Sequence, residues 1–248
     1  MTSTLDVKVA SVSFIVPAHN EELLLGRTLD SIAAATELLG EQVEVIVVDD
    51  ASTDRTAAIA LAHGVFLESV AHRQISATRN SGARSAASDI FLFVDADTLV
   101  NAPVVRAAIA AVRNGAVGGG CAVQFSGRLP LHGQLIARIA APIYRHIGLA
   151  AGCFIFCSRR AFEAVGGFDD RLFAAEEVAM SKALATQGGF VILSETVLTS
   201  GRKLRAYSGR ELLGMLLRLG LNGRAALNQR RGLDIWYGDR RADPGVDA

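Results

Sequence analysis

The chain has 248 residues, half of them apolar and a fifth charged, enough for a sizeable core in one large domain and too hydrophobic for wholesale disorder. Its 25 acidic and 25 basic residues cancel, which argues against a general nucleic-acid binder, since such proteins carry a basic excess. Cys121, Cys153 and Cys157 form no CxxC pair, so neither a zinc site nor a disulfide framework is indicated, and reduced, mostly buried thiols are expected.

In chain order, the opening residues lack a basic segment followed by an apolar one, so no secretory leader is expected and a cytoplasmic location follows. "VSFIVPAHN" reads as a buried strand broken by Pro17. "EELLLGRTLDSIAAATELL" has helical spacing, with Leu24, Thr28, Ile32 and Ala35 on one side and Glu21 and Glu22 in the first turn, where the helix dipole favours acids. "VEVIVVDD" is apolar nearly throughout, as in a parallel strand covered on both faces. The next helix is expected to be capped by Ser52 or Thr53 and ended by Gly64. "VFLESV" is a short strand, "QISATRNSGARSAAS" a helix, "DIFLFVDAD" a fourth strand, and "APVVRAAIAAVRNG" a helix with Pro103 in its first turn.

The second part is less regular. "AVGGGCAVQF" reads as a strand, and residues 130–148 as a helix bent or broken at Pro142. A strand, a short helix and a turn at Gly166-Gly167 follow; then come the helix "AAEEVAMSKALATQGG", the strand "FVILSETVLTS" and the amphipathic helix "GRELLGMLLRLGLNGRAALNQ". The polar tail from Asp239 is expected to fray. The most membrane-like stretch runs from Leu131 to Cys157. Its longest apolar run, Ile147 to Phe156, is half a spanning helix, and Arg138 and Arg145 interrupt the rest, so a core or surface-associating segment is expected.

Four strand–helix alternations in the first 115 residues predict an α/β domain with a mostly parallel sheet, in which ligands bind outside the carboxyl ends of the strands. Those ends carry Pro17-Ala18-His19-Asn20, Asp49-Asp50 and Asp95-Ala96-Asp97. Strand alternation points Asp95 and Asp97 to one side, and two carboxylates so close suit a hard cation, Mg²⁺ or Mn²⁺, with positions left open for phosphate. The plainer reading of either acid is a helix cap. Asp49 or Asp50 suits a nucleoside hydroxyl or base, or a helix cap. Glu176 and Glu177, at a helix start, serve equally as dipole partners or as a general base. The glycine-rich loops of dinucleotide and ATPase folds are absent.

Four segments, "VSFIVPAHNEELLLGRTLDSI", "VEVIVVDDASTDRTAAIA", "ISATRNSGARSAASDIFLFVDADT" and "GCFIFCSRRAFEAVGGFDDRLFAAEEVAMSKAL", together resemble family-2 glycosyltransferases of the GT-A fold over residues 11–200. The resemblance implies inverting, metal-dependent transfer of a sugar from a nucleotide-diphosphate donor, by default a UDP-sugar, to a hydroxyl acceptor. It implies a catalytic region 1–205, divided into a nucleotide half (1–117) and an acceptor half (118–205), followed by a C-terminal helix and tail (206–248). On the matching positions, Pro17, Ala18 and Glu21 line the nucleoside and Asp50 reads the base. Arg73 or Arg79 supports the nucleotide. Asp95 lies near ribose and metal, Asp97 ligates the metal, and Glu177, preceded by Glu176, is the base.

Two departures stand out. The pair reads Glu-Glu where Glu-Asp is usual. The His that often completes the metal shell is replaced by "LTSGRKLR", so Ser200, Arg202 or Lys203 is expected at the diphosphate. The QxxRW signature of processive synthases is absent, which favours single additions. A nucleotidyltransferase and an inactive nucleotide-sugar-binding protein are the alternatives. The C-terminal helix, with Leu212, Met215, Leu216 and Leu219 on one face and Arg218 and Arg224 elsewhere, suits the inner membrane face, a dimer contact or docking onto the catalytic domain.

Overall fold

The computed structural model describes residues 11–238, 241, 243 and 244, with side chains except at residues 11, 140–145, 216 and 219–226. Its first half runs β1 (Ser11–Ala18), α1 (Leu25–Thr36), β2 (Gln42–Asp50), α2 (Thr56–Ala62), β3 (Phe66–Val70), α3 (Ile75–Ser85) and β4 (Ile90–Val94). The remainder is β5 (Thr98–Leu99), α4 (Ala102–Arg113), β6 (Gly118–Ser126), α5 (Leu131–His146), β7 (Phe154–Ser158), α6 (Arg159–Ala164), α7 (Glu176–Ala185), β8 (Phe190–Ser200), α8 (Arg202–Ala206), α9 (Gly209–Leu227) and α10 (Asp234–Tyr237).

All eight strands join one sheet, ordered β3-β2-β1-β4-β7-β6-β8-β5. The first four are parallel, as the alternation predicts. β7 then runs antiparallel between β4 and β6, and β6 pairs parallel with β8. Alternate side chains of each central strand enter opposite cores. Val12, Phe14, Val16, Leu92 and Val94 pack under α1 and α4, while Ile15, Phe91 and Phe93 pack with Phe162, Met180 and Leu184 of α6 and α7. The apolar runs of the sequence are therefore strands buried on both faces.

α3 is the element that positions the site. Its composition is polar, yet Ser76, Thr78, Arg79, Ser81, Gly82 and Ala83 are all buried. Gly82 permits this: a Cβ there would lie 2.5 Å from Cγ2 of Ile15 and 2.8 Å from Cγ2 of Val48. The helix thus lies directly on the sheet and carries Arg79 with it.

Several local expectations differ from the structure. α1 begins at Leu25, so Glu21 and Glu22 precede it in a turn and are not in its first turn; Leu24 is the N-cap residue, and Leu25 and Leu29 join Thr28, Ile32 and Ala35 in the core. The turn forms because the Glu21 amide donates to Thr56 Oγ1 and the Glu22 amide to Asp54. Asp54, and not Ser52 or Thr53, serves the start of α2 by accepting from the Thr56 amide at 2.9 Å. Gly64 ends that helix at φ +67°, as expected. A strand of two residues, β5, was not anticipated; it pairs with Leu198 and Thr199 at the sheet edge. α5 is continuous, and the expected bend at Pro142 lies outside the described side chains. Leu212 is buried and Met215 half-buried, whereas Leu216, Leu219 and Arg224 lie outside the described side chains. The tail does not simply fray: Asp243 accepts from Arg205 at 2.6 Å, because that guanidinium is otherwise short of a counter-charge, while residues 239–240, 242 and 245–248 lie outside the described residues.

Gly82→Ala is expected to lift α3 from the sheet and cost about 1–3 kcal/mol, read as a thermal midpoint several degrees lower.

Candidate active site

The ends of β1, β2 and β4 meet at one edge, because Ala18 is paired with Asp49, and Ile15 with both Ile46 and Phe93. Three groups of side chains form there.

The first surrounds Asp50. This buried carboxylate accepts from the Arg73 amide at 2.7 Å, from the Gln74 amide at 3.0 Å and from Thr78 Oγ1 at 2.7 Å. It caps α3 from a distance, since Gln74 at the N-cap offers no side-chain cap of its own. The expected base-reading role of Asp50 is therefore joined to a structural one. His19 Nδ1 lies 2.8 Å from the Asp50 carbonyl, and the Arg73 guanidinium packs against the His19 ring. Pro17 and Ala18 are buried beneath this group at the end of β1.

The second group is organised by Arg79, which is 1% exposed. Nη1 donates to Glu176 Oε1 at 2.8 Å. Nη2 donates to Asp95 Oδ1 and to the Gly152 carbonyl, both at 2.8 Å. The cation also sits 5.2 Å from the Phe168 ring centroid. Burial alone would lower its proton affinity; Asp95 and Glu176 more than offset this and fix the charge. Of the two arginines expected to support the nucleotide, Arg79 has its fork spent on the protein. It also separates the two glutamates. Glu176 is buried in the ion pair, and Glu177 is half-buried with its Cβ and Cγ packed on Gly152. Burial, and then the neighbouring negative Glu176, hold the Glu177 carboxyl well above the ordinary carboxylate range.

The third group surrounds Asp97. β4 ends at Val94, and the Thr98 amide donates to the Asp95 carbonyl, so Asp95 and Asp97 lie in a turn and strand alternation does not govern them. Asp95 turns to Arg79; Asp97 turns toward Thr199 on β8, 3.5 Å away. Burial, then the negative Glu21, push the Asp97 carboxyl up to about 6, partly offset by Lys203. Glu21 is in turn held by Arg202 at 3.1 Å. The segment after β8 thus brings Arg202 and Lys203 beside the acids.

Among the described residues no three His, Cys, Asp or Glu side chains form a metal cluster. The donor set still fits Mg²⁺ or Mn²⁺, ions commonly held by one or two carboxylates with phosphate oxygens completing the shell. Asp97, whose crowded negative charge a cation would relieve, and the oxygen of Asp95 not bound to Arg79 would supply that set. A polar groove of about 470 Å³, lined by His72, Gln74, Ala77, Asn80, Arg84 and Asp170, opens elsewhere along α3 and contains none of the expected site residues.

Gly152, Thr78 and Phe168 enter these groups; all three lie within the segments that carry the family resemblance, but nothing in those segments singles them out. Nor does sequence mark the left-handed backbone at Asn20, Ala51, Arg73 and Ala175, each at the start of a loop or helix bordering the site.

The family model "Glycosyl transferase family 2" matches residues 13–166. The validoxylamine A glucosyltransferase of Streptomyces hygroscopicus subsp. jinggangensis (strain 5008) is 36% identical over 110 residues, 42% of this chain and 26% of that protein, so the match spans about a quarter of that relative's length. The mannosyltransferase PcManGT from Pyrobaculum calidifontis, in complex with GDP-Man and Mn²⁺, has a TM-score of 0.65 at 20% identity over 94% of this chain and 66% of that one. S. aureus TarS 1-349 in complex with UDP-GlcNAc has a TM-score of 0.60 at 22% identity over 86% and 67%. At these identities the structural likeness is one of fold.

Arg79→Met is expected to cost about 3–5 kcal/mol in chemical denaturation, because Glu176 and Asp95 lose their buried counter-charge. Asp97→Asn should act oppositely. The Asp97 carboxyl is raised from 3.8 to about 6, so the wild type loses stability as pH rises through that interval. The variant is expected to be about 1–2 kcal/mol more stable at pH 7, after allowing for solvent screening, and no different below pH 3.8, the ordinary value, in thermal unfolding without nucleotide.

Proposed function

The chain belongs to glycosyl transferase family 2, and from that premise we propose that it moves a sugar from a nucleotide-diphosphate donor to a hydroxyl acceptor, one sugar at a time and with inversion. The fold is GT-A, as in PcManGT and TarS. The observation that carries the residue assignment is the Arg79 bridge: it neutralises Asp95 and Glu176 and leaves Glu177 and Asp97 as the carboxylates with raised proton affinity.

In this reading residues 1–117 bind the nucleotide. His19, Asp50 and Arg73 border the base, with Pro17 and Ala18 forming the floor, and Asp95 lies toward the ribose. Asp97 and Asp95 would hold a divalent cation, which when bound would neutralise charge on the leaving diphosphate. Arg202 and Lys203 add fixed positive charge on the β8 side and stand where a metal-binding His is otherwise usual. Glu21 orients Arg202 through their ion pair. The acceptor half, 118–205, supplies Glu177. This carboxylate takes the acceptor hydroxyl's proton as the hydroxyl oxygen attacks the sugar carbon on the face opposite the diphosphate. Its raised proton affinity makes it a stronger base than a free carboxylate once ionised. Glu176 holds its position through Arg79 and makes no contact with the reacting atoms. UDP-sugars are the first donors to test, since TarS is seen with UDP-GlcNAc, and GDP-mannose the second, since PcManGT is seen with it. Against the alternatives, family membership disfavours a nucleotidyltransferase, and sugar transfer by the parent chain separates an enzyme from an inactive binder.

Glu177→Gln is expected to keep nucleotide-sugar binding, measured by thermal shift, and to lose at least a hundredfold in turnover; full turnover in that variant assigns the base elsewhere. Because the base must be ionised, turnover should rise with pH and its acidic limb should lie above the ordinary carboxylate range. Asp97→Ala should abolish the Mn²⁺-dependent part of the nucleotide-induced rise in melting temperature. Should that rise persist unchanged, Asp97 is not the metal ligand.

A further inference from the structure

We infer that α5 docks the enzyme onto the surface of an anionic lipid bilayer, an assignment independent of the proposed catalytic roles. Leu131, Leu135 and Ile139 are 85%, 60% and 52% exposed. Their spacing of four places them in one stripe along the helix. The other side of α5 is the one that packs on the protein. His132 Nε2 lies 3.1 Å from the carbonyls of Leu204 and Tyr207, and buried Gly133 lies against Leu204. The apolar stripe is therefore turned to solvent, with exposed Arg128 and Arg138 beside it.

Charge decides the occupant. The chain is neutral overall, yet α5 carries Arg138 and Arg145 and no Asp or Glu, and Arg128 precedes it. An apolar stripe within a one-signed basic segment complements a surface that is oily inside and negative outside. A second copy docked through the same face would set arginine against arginine with no acid in the segment to separate them. No described helix is long and apolar enough to cross a membrane, so the contact is with the surface.

The test sediments the full chain with vesicles of phosphatidylcholine alone or with roughly a third phosphatidylglycerol. Binding is expected on the anionic vesicles, about tenfold weaker on the neutral ones and in high salt. Leu135→Glu with Ile139→Glu should reduce it at least tenfold without changing the melting temperature, since both positions are exposed. Arg138→Glu, a single exposed change that keeps the apolar stripe, should lower binding to anionic vesicles several-fold and leave neutral vesicles unaffected. Equal binding to both vesicle types, or undiminished binding by these variants, overturns the proposal. So does a dimer in light scattering that Leu135→Glu dissolves while the parent ignores vesicles, for then a second copy occupies the face.

Discussion

The arrangement of this site depends on one buried guanidinium. Taking an arginine out of water costs several kcal/mol unless charge and hydrogen bonds are returned to it. Arg79 receives them from Asp95 after β4, from Glu176 at the start of α7 and from the Gly152 carbonyl before β7. These partners are 16, 97 and 73 residues away in sequence, so the bridge can form only when the whole sheet is assembled. Only Nε lacks a partner among the described residues. A rigid, fully charged bridge makes the geometry of the neighbouring acids a property of the fold and not of local loop preference.

That bridge also divides labour among six acids. Asp50 is satisfied by the start of α3, Asp95 and Glu176 by Arg79, and Glu21 by Arg202. Asp97 and Glu177 remain with their proton affinities raised, on opposite flanks of the bridge. Six uncompensated negative groups at one edge would repel one another; with four of them answered, the remaining two are the ones to which the proposed reading gives chemical roles.

Much of the fold was legible because its signals are local. Apolar runs such as residues 90–94 are strands covered on both sides, and the acidic residues after them lie where parallel sheets bind ligands. What escaped reading depends on distant partners. Glu21 and Glu22 were assigned to a helix that starts at Leu25, because their turn is held by Thr56 and Asp54. Alternation misplaced Asp95 and Asp97, because the strand ends at Val94, before either of them. Arg79 was read only as an alternative to Arg73 for supporting the nucleotide; that Gly82 lets the helix sink onto Ile15 and Val48, burying Arg79, is a fact of packing that no periodicity reveals.

Ala51, Arg73 and Ala175 carry left-handed backbone angles that their side chains disfavour, whereas at Asn20 the same region is one that asparagine adopts more readily. Each such residue stores about 1–3 kcal/mol that only surrounding contacts retain. Mild heat or denaturant would release these stations ahead of the sheet, so competence to hold a ligand would fade while the scaffold beneath stayed folded.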